Sequence, residues 1–181
     1  MGGCSEDEMG ETKDDAKLKE TGDQSKTDSQ AGTPRGSAVV DAPLTTWPYF
    51  EAEEATEINP PMEVVQDADV SGGEYIVSRG GAGWIRFDID IPEDGEYILW
   101  GSAFGKDGRS NSFHVGANTN IRPAVAWGVP LGGWQWSKVK DSERALTFKL
   151  AKGKNSFIFW NREADTQLDQ IFLTTDPNAS P

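Results

Sequence analysis

The sequence predicts an all-β protein, an antiparallel β-sandwich of the jelly-roll type, and three observations carry this prediction. Residues 84–91 alternate apolar and polar side chains without a break, which is the period of a strand with one buried face. The spacing of apolar residues that a helix requires fails throughout the chain. Turn-forming residues recur at short intervals, for example at 92–95 and 152–155. Roughly eight to ten short strands separated in this way favour a sandwich.

The elements follow from the chain in order. Strands are predicted at 49–53 and, after the Pro60-Pro61 break, at 62–66. Residues 69–73 turn into a strand at 75–77, and 92–95 turn the alternating strand 84–91 into its antiparallel partner at 96–104. The loop 105–111 leads to a strand at 112–115, 121–127 is ambiguous, and 132–136 is a glycine-rich loop with two indoles. Further strands are predicted at 137–139, 145–150 and 156–160.

The closing stretch, residues 161–174, is a polar loop that runs into a short alternating strand. Its odd positions, which include Ile171, are predicted to face the core, so that Asp169 points inward. A carboxylate in that position is costly to bury without a partner. In the first strand, Glu51 and Glu53 share one face because strand side chains alternate. Three carboxylates from the two ends of the domain therefore predict a cation site.

Composition divides the chain into a tail and one domain. All seven Trp, eight Phe and three Tyr lie from Trp47 onward, so the domain is predicted at 47–181. Residues 1–46 carry ten acidic and five basic side chains among many Ser, Thr, Gly and Gln, which predicts a disordered acidic tether. Residues 47–181 carry twenty acidic and twelve basic side chains, a net charge of −8. This charge argues against nucleic acid or an anionic membrane as a partner. A monomer is expected.

The only cysteine, Cys4, stands near the start of the tether, so disulfides are excluded from the folded part. A small residue before the cysteine and an acidic arm after it are similar to the mature start of a bacterial lipoprotein. We therefore expect an extracytoplasmic protein, held at the bacterial outer membrane or cell surface by a lipid on Cys4, or secreted. Two alternatives remain: a cysteine without a role, and N-myristoylation, which Glu6 disfavours.

Five short motifs occur in a characteristic order: Phe-Glu-Ala-Glu at 50–53, Gly-Trp-Ile-Arg-Phe at 83–87, Pro-Glu-Asp-Gly-Glu-Tyr at 92–97, Gly-Gly-Trp-Gln-Trp at 132–136 and Leu-Asp-Gln-Ile at 168–171. Together they resemble the carbohydrate-binding modules of families 6 and 35, over most of residues 47–175. The resemblance implies a calcium-stabilised β-sandwich that binds a polysaccharide or oligosaccharide without catalysis, by aromatic stacking in a loop cleft.

The resemblance also implies roles for individual residues. Glu51, Glu53 and Asp169 match the family's ligands of a structural calcium ion, and backbone carbonyls from 78–80 would complete the shell. Trp134 matches a tryptophan that stacks on a sugar ring, and Tyr75 stands where the family has a tyrosine that faces it. Gln167 takes the place of an asparagine that binds sugar hydroxyls.

Further candidates for the sugar site come from the residues themselves. Asn111 and Arg162 lie in polar loops. Arg162 could instead form a structural ion pair with Glu163, Asp165 or Glu143. Trp127 and Trp136 are candidates for stacking, with packing in the core as the alternative. Packing is also the role assigned to three other tryptophans, Trp84, Trp100 and Trp160.

Two other classes of function remain open. One is a surface adhesion or assembly protein on the same fold. The other is a small polysaccharide hydrolase or lyase. His114, the only histidine, lies on an alternating strand without neighbours that would form a catalytic triad. Asp88 and Asp90 could be imagined as glycosidase acids, but they lie on a predicted solvent face.

Overall fold

The structure is a computed structural model that describes residues 49–121 and 125–181. Two large sheets and one two-stranded ribbon account for its strands, and every strand pair is antiparallel. This confirms the predicted all-β sandwich. The predicted tether, residues 1–46 with Cys4, lies outside the described residues. Within the described part of the chain, no helix has the length and apolar character needed to span a membrane.

In chain order the strands are β1 Tyr49–Glu51, β2 Glu57–Asn59, β3 Met62–Gln66, β4 Glu74–Ser78, β5 Trp84–Ile91, β6 Gly95–Phe104, β7 Ser112–Ala117, β8 Ala126–Gly128, β9 Gln135–Lys138, β10 Lys140–Asp141, β11 Arg144–Ala145, β12 Thr147–Leu150, β13 Gly153–Asn161 and β14 Gln167–Thr174. Two short 3₁₀ turns interrupt them, at Ala52–Glu54 and Ser71–Gly73.

The two sheets form the layers of the sandwich. Sheet A has the order β12-β6-β14-β4-β3, with β1 beside β14 and β9 beside β6. Sheet B has the order β2-β5-β13-β7-β8. The apolar face of each sheet is directed at the other, as the alternation in β5 predicts, because its apolar positions are buried and Asp88 and Asp90 are exposed. The face of sheet A that points away from sheet B is called here the outer face of sheet A.

The core contains an aromatic cluster that corrects one site prediction. Trp127 is fully buried and lies 6.2 Å from Phe113 and 6.1 Å from Phe159, measured between ring centroids. Gly101 of β6 leaves room for this indole, since a Cβ atom at residue 101 would lie 2.5 Å from Trp127 Cη2. A ring without exposed surface cannot stack on a sugar. The prediction that Trp127 binds carbohydrate is therefore wrong, and its packing alternative holds.

The connections between strands differ from the sequence prediction. β5 and β6 do not pair with each other: β5 lies between β2 and β13 in sheet B, and β6 belongs to sheet A. The turn at 92–95 thus carries the chain from one sheet to the other. The stretch around 151–153 does the same between β12 and β13. The residues of a tight turn do not reveal this difference, because a chain reversal within a sheet and a crossover between sheets use the same turn-forming side chains.

The first strand is shorter than predicted. β1 ends at Glu51, and Ala52–Glu54 form a 3₁₀ turn closed by a hydrogen bond from Ala55 N–H to the Ala52 carbonyl (3.2 Å). Ala52 is fully buried at this turn. Glu51 and Glu53 consequently do not share one face of a strand, as predicted, although the turn still brings both toward Asp169.

The last strand contains a β-bulge between Leu168 and Gln170. One extra residue allows both Leu168 and Ile171 to face the core, where each is fully buried. Asp169 is the extra residue, and its side chain lies beside Ser102 on the outer face of sheet A. The prediction that Asp169 points inward together with Ile171 is therefore wrong.

Candidate functional site

Three aromatic rings meet on the outer face of sheet A, beside the glycine-rich loop that precedes β9. Tyr75 comes from β4, Phe104 ends β6, and Trp134 follows the two glycines that lead into β9. The ring centroid of Trp134 lies 5.3 Å from that of Tyr75 and 5.9 Å from that of Phe104. All three side chains are partly exposed. We call these three residues the aromatic site.

The geometry of the aromatic site determines how a ligand could approach it. The planes of Tyr75 and Trp134 are inclined by 66°, so the rings touch edge to face. No space remains between them for a third ring, and a ligand would stack on a ring face that its neighbours leave uncovered. The structure thus brings together the two aromatic residues that the sequence paired, in a platform arrangement.

Gln167 and Asn111 border the aromatic site. Gln167 begins β14 and pairs with both Phe104 of β6 and Val77 of β4. Its partly exposed side chain therefore lies beside the two strands that carry Tyr75 and Phe104. Asn111 belongs to the loop 105–111, which meets the loop of Trp134 at Gly105. A Cβ atom at Gly105 would lie 2.6 Å from Asn111 Cβ and 3.0 Å from Leu131 Cδ2. This close approach requires glycine at residue 105.

The carboxylate of Glu163, in the loop between β13 and β14, is hydrogen-bonded to the end of the loop 105–111 and the start of β7. Glu163 accepts hydrogen bonds from Ser112 Oγ (2.6 Å) and from the backbone N–H of Asn111 (3.0 Å). Arg162 donates to Ser112 Oγ (2.6 Å) and to Glu163 Oε1 (2.8 Å). Burial acts to raise the pKa of Glu163, but these hydrogen bonds and the Arg162 charge hold it below its ordinary value. Of the alternatives left open for Arg162, the structure shows the pairing with Glu163.

Trp136 lies apart from the aromatic site. Its ring contacts Tyr49 of β1, with 5.6 Å between the centroids, and no ring contact with Tyr75 or Trp134 is found in the described residues. The sequence grouped Trp136 with Trp134 because they are neighbours in one loop. The structure places it with a second set of rings on the same face.

The three predicted carboxylates converge on the same outer face, beside the β14 bulge. Glu51 Oε1 accepts hydrogen bonds from Ser71 Oγ and Gln170 Nε2, both 2.8 Å long. Asp169 Oδ2 accepts one from Ser102 Oγ (3.1 Å). The other oxygens, Glu51 Oε2, Glu53 Oε2 and Asp169 Oδ1, are buried without a hydrogen-bond partner. One orphaned oxygen on each carboxylate is the arrangement that a cation would satisfy.

Two carboxyl groups of this cluster have raised pKa values, as burial and neighbouring negative charges require. Burial, reinforced by the charges of Glu51 and Asp169, raises the pKa of Glu53 to about 6. Burial and the charge of Glu51 likewise raise the pKa of Asp169 to about 6. The described residues contain no set of three or more His, Cys, Asp or Glu side chains already arranged as metal ligands. Any cation shell would therefore need small side-chain movements or additional backbone ligands.

A second backbone segment, besides the one implied by the resemblance, lies beside the carboxylates. Ser78, in the implied segment 78–80, uses its carbonyl to accept a hydrogen bond from the Asp165 N–H (2.6 Å). The turn Ser71–Gly73 lies against the cluster instead, since a Cβ atom at Gly72 would lie 2.5 Å from Glu53 Oε1. Gly72 has a φ of +64°, which glycine adopts readily. The expectation of carbonyl ligands from 78–80 stays a prediction, and this turn is a further candidate source of backbone ligands.

The outer surface of sheet B carries a groove of about 470 Å³. Arg86 in this groove forms ion pairs with Glu57 and Asp88, each 3.1 Å long. Trp84 and Trp160, which pair across β5 and β13, also line it. Trp160 is nearly buried, in agreement with the predicted packing role, whereas Trp84 is partly exposed.

Sequence reasoning missed several residues of these sites. Phe104 completes the aromatic site. Its position at the end of the long predicted strand 96–104 was the feature of the sequence that could have indicated this role. Glu163 was considered only as a partner of Arg162, and nothing in the sequence indicates its bonds to Ser112 and Asn111. Ser71 became recognisable only when the fold placed it beside Glu51.

Comparisons with known proteins support the fold. No protein-family model and no curated protein sequence matches this chain. Among solved structures, a family 35 carbohydrate-binding module from Clostridium thermocellum is 17% identical, with a TM-score of 0.58, and the match covers 71% of this chain and 99% of that one. The C-terminal CBM6 of LamC, a marine laminarinase from Zobellia galactanivorans, is 20% identical, with a TM-score of 0.56 and coverage of 71% and 99%.

A longer enzyme shows the same likeness. The Podospora anserina GH26-CBM35 β-(1,4)-mannanase is 21% identical, with a TM-score of 0.56, and the match covers 74% of this chain but 28% of the mannanase. At such identities the similarity establishes a shared fold and leaves function to the residues of the site. The chain has the fold of the family 35 and family 6 carbohydrate-binding modules.

Proposed function

We propose that residues 47–181 form a non-catalytic carbohydrate-binding module that holds a polysaccharide or oligosaccharide at the aromatic site. The observation that carries this proposal is the contact of Trp134 with Tyr75 and Phe104, beside the Gln167 amide. Aromatic faces bind the C–H surfaces of sugar rings, and a few amide or hydroxyl groups set the direction of the hydroxyls. The solved structures that share the fold over nearly their full length are described as binding modules, which supports a non-enzymatic role.

The platform geometry refines the predicted binding mode. Because Tyr75 touches Trp134 edge to face, the sugar stacks on one side of the pair instead of being sandwiched. Gln167 supplies the hydroxyl contacts, and the hydrogen bond from the Asn111 N–H to Glu163 holds the neighbouring loop in place. Arg162 contributes indirectly, since its guanidinium is engaged by Ser112 and Glu163.

We further propose that Glu51, Glu53 and Asp169 hold a structural calcium ion. The fit rests on three buried carboxylate oxygens without partners and on the raised pKa values of Glu53 and Asp169. Hard oxygen ligands of this kind suit calcium. The ion would neutralise charges contributed by the two ends of the domain. Attachment to a bacterial surface through Cys4, or secretion, stays a proposal from sequence.

Affinity electrophoresis tests the binding function. The probes are laminarin, β-1,3-galactan, β-1,4-mannan and dextran, cast separately into native gels. We expect retardation by at least one polymer, and loss of that retardation in Trp134→Ala. The matched control is Trp84→Ala, which removes an indole from the groove on sheet B and should leave retardation unchanged.

The control variant also identifies failure. If Trp84→Ala loses retardation while Trp134→Ala keeps it, the glycan binds sheet B and the assignment of the site is wrong. If no probe retards the wild type, the proposed function fails for these glycan classes.

A further inference from the structure

The outer face of sheet A carries a second group of rings that the aromatic site does not use. Tyr49 of β1 stacks on Phe172 of β14, with centroids 5.2 Å apart and planes inclined by 29°. Trp136 of β9 lies 5.6 Å from Tyr49. Tyr49 is 47% exposed and Trp136 is partly exposed. We call Tyr49, Trp136 and Phe172 the second aromatic cluster.

The second cluster is aligned with the aromatic site. Trp134 and Trp136 are two residues apart along the same extended segment, which places their Cα atoms about 7 Å apart on one face of the sheet. Glu51 of β1, Gln170 of β14 and Ser102 of β6 form one row across the face, and Trp136 ends this row because it pairs with Ser102. Tyr49 and Phe172 lie in the next row, so the face presents the aromatic site, then Trp136 among polar groups, then two more rings.

Packing of the core accounts for Phe172, which is buried in the core cluster, and for the part of Trp136 that packs against it, but not for Tyr49, which is 47% exposed and lies outside that cluster. The apolar side chains that hold the sandwich together, such as Leu168 and Ile171, lie on the opposite face of β14. The outward face of an antiparallel sheet is ordinarily polar. Two rings with exposed surface, Tyr49 and Trp136, that meet beside a buried Phe172 on such a face are typical of a binding surface.

We propose that the second aromatic cluster is a further stacking platform for the same glycan, so that an uncharged polysaccharide lies along the outer face of sheet A from Trp134 to Tyr49. This inference rests on the proposed function. Flat rings in two groups along one face, with the Gln170 amide side chain beside the second group, fit a chain of sugar rings. The net charge of −8 on residues 47–181 opposes both an anionic polymer and a second copy of the chain as the occupant.

Ligand length separates the two platforms in an experiment. Calorimetric titrations of the full chain would use the hexasaccharides and disaccharides of the β-1,3-glucan, β-1,3-galactan, β-1,4-mannan and α-1,6-glucan series. For the series that binds, we expect Tyr49→Ala and Trp136→Ala each to weaken hexasaccharide binding about fivefold. Disaccharide binding should change less than twofold, because a short ligand occupies the aromatic site alone. Ile121→Ala, an exposed apolar side chain in the loop after β7, is the control.

The possible results separate this inference from the proposed function. If Trp134→Ala abolishes binding but both Tyr49→Ala and Trp136→Ala leave hexasaccharide affinity unchanged, the second platform is refuted and the proposed function stands. Stronger hexasaccharide binding by Tyr49→Ala would mean that this side chain obstructs the face, and would also overturn the inference. Self-association of the wild type that Tyr49→Ala removes, with hexasaccharide affinity unchanged, would assign the face to a second copy. Failure of the wild type to bind any of the sugars would overturn both.

Discussion

At the scale of single residues, the sequence predicts which side chains belong to a site more reliably than the direction in which each side chain points. Glu51, Glu53 and Asp169 were named as a cluster from their positions at the two ends of the domain, and the structure brings their side chains together. The direction of Asp169 could not be predicted, because a β-bulge depends on pairing with β4 and β6. Trp127 shows the same limit: nothing in its local sequence separates a buried indole from an exposed one.

The raised pKa values of Glu53 and Asp169 predict a pH dependence for the calcium-depleted protein. Burial raises each pKa to about 6, so the folded state binds more protons than the unfolded state between the ordinary carboxyl pKa and about pH 6. The free energy of unfolding contributed by these groups is therefore highest in acid and falls as the pH rises through 6. Asp169→Asn, which cannot ionise, should melt at nearly the wild-type temperature at pH 4 and several degrees above it at pH 7.

The difference in melting temperature between variant and wild type is the quantity to measure. It removes the opposite trend from acids such as Glu163, whose lowered pKa makes it stabilise the fold less as the pH falls. Glu54→Gln, at an exposed neighbour of Glu53, is the control for removing one carboxylate outside the buried cluster. A difference for Asp169→Asn that stays constant from pH 4 to 7 would contradict this account of the buried carboxylates.

At the scale of elements, strands could be predicted from sequence but their partners could not. β3 and β5 have the predicted bounds, because strict alternation or a proline break marks them. The short strand β2 was missed, since three residues carry too little pattern. The predicted pairing of β5 with β6 is wrong, because the turn at 92–95 joins two different sheets. Short-range turn chemistry cannot specify which distant strand supplies the backbone hydrogen bonds.

The contact between β6 and Trp127 predicts a strong effect of one methyl group. In Gly101→Ala the new Cβ atom would lie 2.5 Å from Trp127 Cη2 and 3.1 Å from Leu168 Cδ1, so two core side chains would have to move. Overpacking of this kind costs about 1–3 kcal/mol. We expect urea denaturation to show a lower free energy of unfolding by that amount. Gly128→Ala, in strand β8, meets no atom within 4 Å and is the matched control. Equal stability of the two variants would refute the proposed packing.

At the scale of the whole molecule, β1 and β14 join the beginning and the end of the domain in one sheet, and the carboxylates lie at this junction. Gln167, which borders the aromatic site, is the first residue of β14 and stands two residues before Asp169. One strand thus contributes to both proposed sites. The sequence indicated this link through the spacing of Gln167 and Asp169. It could not indicate the second aromatic cluster, because Tyr49, Trp136 and Phe172 are distant in sequence and meet only when the four strands β1, β14, β6 and β9 lie side by side.

Calcium should therefore stabilise the whole domain. A ligand that binds only the folded state raises the free energy of unfolding by about 2.7 kcal/mol at one hundred times its Kd. In thermal melts at pH 7 we expect EDTA to lower the melting temperature of the wild type by several degrees, and added calcium to restore it in proportion to the logarithm of its concentration. Magnesium should act more weakly because it demands a stricter geometry. Sodium chloride of equal ionic strength controls for screening of the carboxylates.

Asp169→Asn should lose most of the response to calcium while it keeps the fold. A wild type indifferent to EDTA, or an equal calcium response in the variant, would show that the orphaned oxygens of Glu51, Glu53 and Asp169 are not satisfied by this ion.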